Sequence, residues 1–512
     1  MSYNSRLKSS PSAAIRATLD YPVIDTDVHT NDFTPALEDY IANYGGAELV
    51  DELRKSETYR LNSLKDGKDW YQQTPEERQY YRTIRSPWWA RVTRNTLDLA
   101  TYTLPELLYE RQAEQGSDYS VLFPNNALAA AGAKPEHRQA LQRAINHYHA
   151  DLYRKFSDRL TPVAGITLTT PQEGIEELEF AVNTLGLKVI NIPGGVKRPI
   201  KAIADKYPAD QFPEIGRYAS YIDFYGIDSE YDYDPFWAKV VELGVPVTTH
   251  YGSQGWTGRS SISNYMNNHI GHFADGSQAF AKALFFGGVT KRFPQLRLGL
   301  LEGGADWGAH VYIHLVDRFS KRNPKDLQNY NPDLADADLL YELFERYGAD
   351  ITQGYSLTKE ELTDSVLGSS FTRFSRQPVG SELEDFAAAG IETIEDIRDR
   401  WVNSFFFGSE SDDRTIAAAF NDKANPLGVK INAIYSSDVG HWDVPDLTTP
   451  LAESWELVQE GVISEADFKA YVFSNPYKFY TEANPNFFEG TAIASQVRKD
   501  ESQPTDKTLA TV

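Results

Sequence analysis

Residues 234–250, DPFWAKVVELGVPVTTH, read as a helix that passes straight into a buried strand, and that pairing decides the fold. Asp234 suits a helix cap, and Pro235 suits the first helical position, where a missing N–H costs no intrahelical bond. The apolar run VPVTTH closes on His250, directly before a Gly-containing loop. Outward from this stretch, seven more runs share its character: YPVIDTDVH (21–29), SDYSVLFP (117–124), TPVAGITL (161–168), LKVINIP (187–193), LRLGLLEGG (296–304), SFFFGSE (404–410) and NAIYSSDVG (432–440). Between the third and fourth runs, PQEGIEELEFAVNTL (171–185) has an early Pro, acids in its first turn and an apolar stripe at helical spacing. Short apolar strands alternating with helices imply βα units, since parallel neighbours need a crossover. The expected fold is therefore α/β, a (β/α)8 TIM-type barrel with long helical insertions.

The strand series is interrupted at about 30–116, 194–244 and 305–403, and it resumes after each gap. These segments are read as insertions into one barrel spanning 19–490 rather than as independent domains. The charged, helix-rich stretch 320–400 suits a cap or an oligomer contact. The polar ends, 1–18 and 491–512, read as flexible segments.

Lys plus Arg total 50 against 73 for Asp plus Glu, a formal charge of −23. Nucleic acid and anionic membrane surfaces both call for a cationic footprint, so neither is an expected partner. The expected partners are a small-molecule substrate and a second copy of the chain, a dimer being the default for such a barrel. The chain has no cysteine, which excludes disulfides, zinc-thiolate sites, iron–sulfur clusters and cysteine nucleophiles. Any metal must bind through His, Asp and Glu. The N-terminus lacks the apolar core of a signal peptide, and no stretch is long and apolar enough to span a bilayer, so a cytoplasmic location is expected.

In a parallel barrel the C-terminal strand ends carry the site. Asp27 and His29, two apart on the first strand, face the same side and can address one metal. By itself such a triplet reads as a capping Asp beside a surface His. His250 ends the fifth strand. Glu302 ends the sixth, before two glycines that permit close backbone approach. Beyond the eighth strand, Asp438, His441 and Asp443 lie close together. The strand ends thus offer a His/carboxylate set of the kind a divalent metal requires. Trp256, Arg259, His272 and Trp307 follow strand ends and are candidates to line a substrate pocket. His269 and His272 resemble a ligand pair but fall in the region after strand five, where a solvated helix face is an equal reading. His147, His149, His310 and His314 read as structural, and Lys188 lies at the wrong end of its strand.

The motifs VIDTDVH, LPELLYERQAEQGSDYSVLFP, DPFWAKVVELGVPVTTH, GGVTKRFPQLRLGLLEGGADW and YSSDVGHWD, with a closing FSNPYKFY, resemble the amidohydrolase-related family over roughly 20–490. That branch of the amidohydrolase superfamily includes aminocarboxymuconate-semialdehyde decarboxylase and dihydroxybenzoate decarboxylases. The resemblance implies a metal held by Asp27, His29, His250 and Asp438. The chain departs from the family's commonest pattern at Asp27, where many members have His or Glu, and at Glu302, often a His. Glu302 can serve as a base, orient a water or ligate a second metal.

The leading expectation is metal-assisted hydrolysis, with Asp438 taking a proton from water and Glu302 or His441 orienting substrate or shuttling that proton. Zn2+ suits the mixed N/O ligand set, and Mn2+ and Fe2+ fit as well. The alternatives are non-oxidative decarboxylation of an aromatic or enol acid, and a di-iron oxygenase in which Asp27, His29, His250, Glu302, Asp438 and His441 hold two irons. A barrel that binds metal without catalysis is the fourth.

Overall fold

The computed structural model describes residues 10–56, 69–85, 87, 90–208, 211–212, 215, 219–368 and 384–501. The barrel strands are β1 (Ile24–Thr30), β2 (Tyr119–Pro124), β3 (Leu160–Pro162, resuming as Ala164–Gly165), β4 (Ile190–Asn191), β5 (Val247–Thr249), β6 (Leu298–Leu300), β7 (Phe405–Ser409) and β8 (Ala433–Tyr435). Each coincides with one of the eight runs read from the sequence, β1 passing its end by Thr30 and β3 preceding its start by Leu160. Successive strands pair in parallel from β1 round to β8. At Val163 the pairing passes from one neighbour to the next: Val163 N donates to Leu122 O (3.0 Å), and Ala164 N to Val189 O (2.8 Å). The ring closes between β8 and β1, where Val28 bridges Val439 in parallel. There His29 N donates to Val439 O at 2.8 Å, and Asp438 N to Asp27 O at 3.1 Å. The strands are buried along their whole length, which is why they read as apolar runs rather than alternating ones.

The helix before β5 spans Asp234–Leu243 and ends at Gly244 in the left-handed region (φ 62). Tyr233, not Asp234, holds the cap position, and no side chain caps the helix. Asp234 sits in the first turn and binds Arg292 through both oxygens, at 2.5 and 2.8 Å, where its charge also complements the helix dipole. The helix Pro171–Glu179 is capped by Thr170, which accepts from Glu173 N.

Part of each loosely patterned end is structured. Pro11–Arg16 is a helix, and its buried Ser12 Oγ accepts from Leu451 N at 3.1 Å. Ala494–Glu501 is also helical, with Ile493 just before it and Val497 within it both buried. Residues 1–9 and 502–512 lie outside the described residues. The first insertion carries helices at Thr34–Ser56, Pro75–Tyr81 and Thr96–Thr101. The second carries an antiparallel ribbon, Val196–Pro199 with Ser220–Asp223, pinned by Arg198 to Asp223 at 3.0 Å. Within the third, Ile313–Ile397 forms a compact unit. It packs Phe319 on Phe386, with ring centroids 5.4 Å apart. No helix among the described residues is long and apolar enough to cross a membrane.

Asp25 ties β1 to the turn after β8. Its Oδ1 accepts from Ser437 N (3.1 Å) and Asp27 N (3.2 Å), and its Oδ2 accepts from Gln115 Nε2 (2.6 Å). Replacing it leaves buried donors unpaired at the ring closure. Asp25→Ala is therefore expected to lower unfolding free energy by about 2–4 kcal/mol, read from urea denaturation.

Candidate metal centre

The strand ends bring six side chains to one point at the barrel mouth. Asp27 and His29 leave β1 on the same side, with His29 Nε2 3.2 Å from Asp27 Oδ1. His250, directly after β5, places Nε2 3.0 Å from both Asp27 oxygens. Glu302 follows β6 in a left-handed conformation (φ 58), which turns its carboxylate across the mouth. Its Oε1 lies 3.1 Å from His29 Nε2, 3.3 Å from His441 Nδ1 and 4.0 Å from His250 Nε2. Asp438, after β8, is also left-handed (φ 53). Its Oδ1 lies 3.2 Å from His29 Nε2 and 2.9 Å from His441 Nδ1. The His29 and His441 rings stack at 3.6 Å. All six residues read from the sequence as ligands are thus together.

They form two overlapping quartets, Asp27/His29/His250/Glu302 and His29/Glu302/Asp438/His441, with the ligand atoms of each within 4.8 Å of one another. His29 Nε2, Glu302 Oε1 and Asp438 Oδ1 are buried and make no hydrogen bond, although they lie close together. Atoms this near that do not bond one another share a direction, toward a common centre. An imidazole nitrogen has one lone pair and serves one ion, whereas a carboxylate has two oxygens and can bridge. The set fits a single divalent cation on either quartet, or two cations joined through Glu302.

The electrostatics agree. Burial pushes the Asp27 carboxyl up, but His250 and His29 outweigh it and hold it below the usual range. Burial acts likewise on Asp438, and His441 and His29 bring it far below. Burial opposes the charged form of His29, yet Asp27, Asp438 and Glu302 hold it well above its ordinary value. His250 is raised by Asp27 and Glu302 against the same opposition. These carboxylates draw positive charge into the centre, which protons on histidine or a metal ion can supply.

A cavity of about 110 Å3 opens onto this cluster at Glu302, Asp438 and His441. Its other wall is formed by His269, His272 and Phe273 from the segment after β5, with Glu410 after β7 and Asp443 after β8. Burial pushes Glu410 well above the carboxylate range, and Asp438 and Asp443 reinforce it. Burial and Asp438 push Asp443 up to about 6. His272 is 3% exposed, and neither ring nitrogen has a hydrogen-bond partner. Burial, with His269 and Arg259, pushes it down to about 3, so the ring is neutral.

Of the four residues read as pocket-lining, only His272 lines the cavity. Trp256 packs toward Phe224 and Tyr251, with ring centroids 6.2 and 6.5 Å away. Arg259 is bound by Asp275 at 2.6 Å and by the Ile270 carbonyl, so it braces its own loop. Trp307 is buried with its edge on Phe407, 4.9 Å between centroids, in the barrel wall. His149 is buried against Asp32 at 2.7 Å, and Lys188 donates to the Phe487 carbonyl at 3.3 Å. Glu410 escaped the sequence reading, although its position directly after an apolar strand matches those of His250 and Glu302.

A parallel barrel whose strand ends converge on a site for a divalent cation defines the class. The amidohydrolase family model matches residues 24–328, more than half the chain, and the protein belongs to that family of enzymes. No curated protein matches it. Similar solved structures include a 2,6-dihydroxybenzoate decarboxylase from Rhizobium, at 15% identity over 90% of this chain and 99% of that one (TM-score 0.43). Another is a dihydroxybenzoic acid decarboxylase from Polaromonas sp. JS666 with bound manganese and 2-nitroresorcinol, at 16% identity over 90% and 97% (TM-score 0.43). A third is an amidohydrolase from Mycobacterium avium subsp. paratuberculosis K-10, at 15% identity over 90% and 100% (TM-score 0.48).

Gly440 shows how tightly the cluster is supported. Its φ is +102, and a Cβ there would lie 2.3 Å from the His29 carbonyl oxygen. Gly440→Ala must therefore displace His29 or the Asp438 turn. Metal affinity is expected to fall about 10–100-fold, measured by titration with a competing chelator, while far-UV circular dichroism stays unchanged.

Proposed function

We propose that the protein is a metal-dependent hydrolase acting on a small organic molecule, with a centre built for two divalent cations. The observation that carries this is Glu302: it belongs to both ligand quartets, and its Oε1 lies within 4.0 Å of all three imidazoles. A carboxylate so placed, with one Asp and at least one His on either side, is the natural bridge. A divalent cation held there would lower the pKa of a bound water and would polarise a substrate carbonyl. Asp438 takes a proton from the attacking water, through the Oδ1 that has no hydrogen-bond partner. His441 Nδ1 lies 3.0 Å from the other oxygen of that carboxylate, Oδ2, and would orient it. Zn2+ suits this N/O set, with Mn2+ and Fe2+ as alternatives.

A second reading has its own observation. Three carboxylates balance three histidines, and Asp438 and His441 stand three residues apart at 2.9 Å. Di-iron carboxylate proteins use a comparable carboxylate-x-x-His pair, so two irons here would support oxygen activation. Metal analysis of protein purified without added metal tests the centre. Two ions per chain are expected, and Glu302→Gln should drop this to one or none; one ion per chain in the wild type removes the bridge. The reaction is separated by assay. Hydrolysis of an ester or amide without oxygen uptake is expected, uptake of O2 by a two-iron protein would replace it with the oxygenase, and release of CO2 from an aromatic acid would replace it with a decarboxylase.

A further inference from the structure

Within the Ile313–Ile397 unit, the helix Ala337–Tyr347 buries none of its side chains. Asp336 caps it by accepting from Leu339 N at 2.9 Å. Its eleven residues nonetheless fall short of the roughly 12–15 at which an isolated helix becomes even marginally stable in water. One side faces the helix Lys359–Leu367: Tyr341 and Phe344 share a groove with the buried Leu362, and Lys359 pairs with Asp338. The other side is uncovered. Leu339, Leu343 and Tyr347, spaced four residues apart, form one stripe and are 51%, 42% and 70% exposed. Just beyond it, Ile351 and Tyr355 are 71% and 70% exposed. An aromatic side chain offers about 150–250 Å2 and Leu or Ile somewhat less, so these fractions amount to on the order of 600 Å2. The largest apolar patch of an ordinary monomer is about 300–600 Å2, and one side of a stable dimer interface buries about 800 Å2.

We propose that this stripe is an interface between two copies of the chain, the helix Ala337–Tyr347 of one lying antiparallel on the same helix of the other. A two-fold contact requires a patch that complements itself. With the axis at Leu343 the stripe does so: Leu343 meets its own image, and Leu339 meets Tyr347. Asp338, Glu342 and Arg346 follow one flank of the stripe at the same four-residue spacing. The two-fold axis sets Arg346 at the level between Asp338 and Glu342 of the opposite helix, so opposite charges meet along that edge. A lipid surface is a poorer occupant, because an interfacial helix is rich in Lys and Arg on its polar face. Here Asp338, Glu342 and Glu345 stand against the single Arg346. The formal charge of −23 opposes the approach of two copies, but salt at about 0.15 M screens it beyond about 8 Å.

Sedimentation velocity of the full-length protein over a concentration series at about 0.15 M salt tests this. A reversible dimer is expected, and Leu343→Glu should raise its dissociation constant at least about tenfold, since it puts a charge at the centre of the contact. A second variant keeps the test sound should that one fold poorly. The chain has no cysteine, so Leu343→Cys carries a single thiol, and on the two-fold axis two such thiols meet. Oxidation with copper–phenanthroline should then join most of the protein into disulfide-linked dimers. Glu106→Cys, at a 72% exposed side chain outside this unit, should stay unlinked. A monomer at every concentration overturns the proposal, whether the face proves bare or binds phosphatidylcholine vesicles instead. A dimer that survives Leu343→Glu unchanged, or that fails to cross-link through Leu343→Cys, overturns it as well, because the copies then meet elsewhere.

Discussion

Asp27, Glu302 and Asp438 are buried within hydrogen-bonding distance of His29, His250 and His441, and among the described residues no lysine or arginine pairs with these carboxylates. Buried carboxylates without compensating charge are among the costliest arrangements in a folded protein. The whole mouth of the barrel is organised around supplying that charge. The closure of β8 onto β1 brings Asp438 to His29, and β5 and β6 bring His250 and Glu302 to the same point. A barrel that failed to close would scatter these groups into water, where each is tolerated separately.

The fold could be read from the chain because its strands are buried on both faces. Continuous apolar runs ending in His or a carboxylate mark both the strand and the end of it that carries chemistry. The six candidate ligands were read in this way, from positions at the end of an apolar run or just beyond it. Glu410 occupies the same kind of position after FFFGS, but no histidine accompanies it, and an acid at a strand end also reads as an ordinary solvated terminus. Only the cavity distinguishes the two.

The pocket residues were harder to read for a related reason. Trp256, Arg259 and Trp307 follow strand ends in sequence, but the direction of a loop side chain depends on contacts made across the fold. Arg259 turns to Asp275, sixteen residues on, and Trp307 turns into the wall against Phe407. His272, judged from spacing alone, looked equally like a solvated helix face. Its burial depends on close packing of the helix His272–Phe286 against the loop after β5, where Gly276 lies so close to Tyr251 that a Cβ would meet the Tyr251 carbonyl oxygen at 2.2 Å. Long-range packing of that kind leaves no local signature. The same applies to Ile313–Ile397, whose compactness comes from contacts internal to a segment that reads only as charged helix.

Backbone geometry adds an independent argument for the centre. Glu302 and Asp438 are two of six described non-glycine residues with positive φ, a conformation that costs about 1–2 kcal/mol for an ordinary residue. Both stand just beyond a barrel strand, where an extended backbone would continue the alternation of inward and outward side chains. The left-handed turn breaks that alternation and aims the carboxylate across the mouth. It is held by the chain around it: Asp438 N donates to Asp27 O at 3.1 Å, and Gly304 N to Gly408 O at 3.0 Å. Had these positions served only the fold, glycine or asparagine would relieve the strain without bringing another negative charge inward. Strained backbone and unfavourable charge coincide at the same two residues, and a cation between them is the single feature that gives both a physical reason to persist.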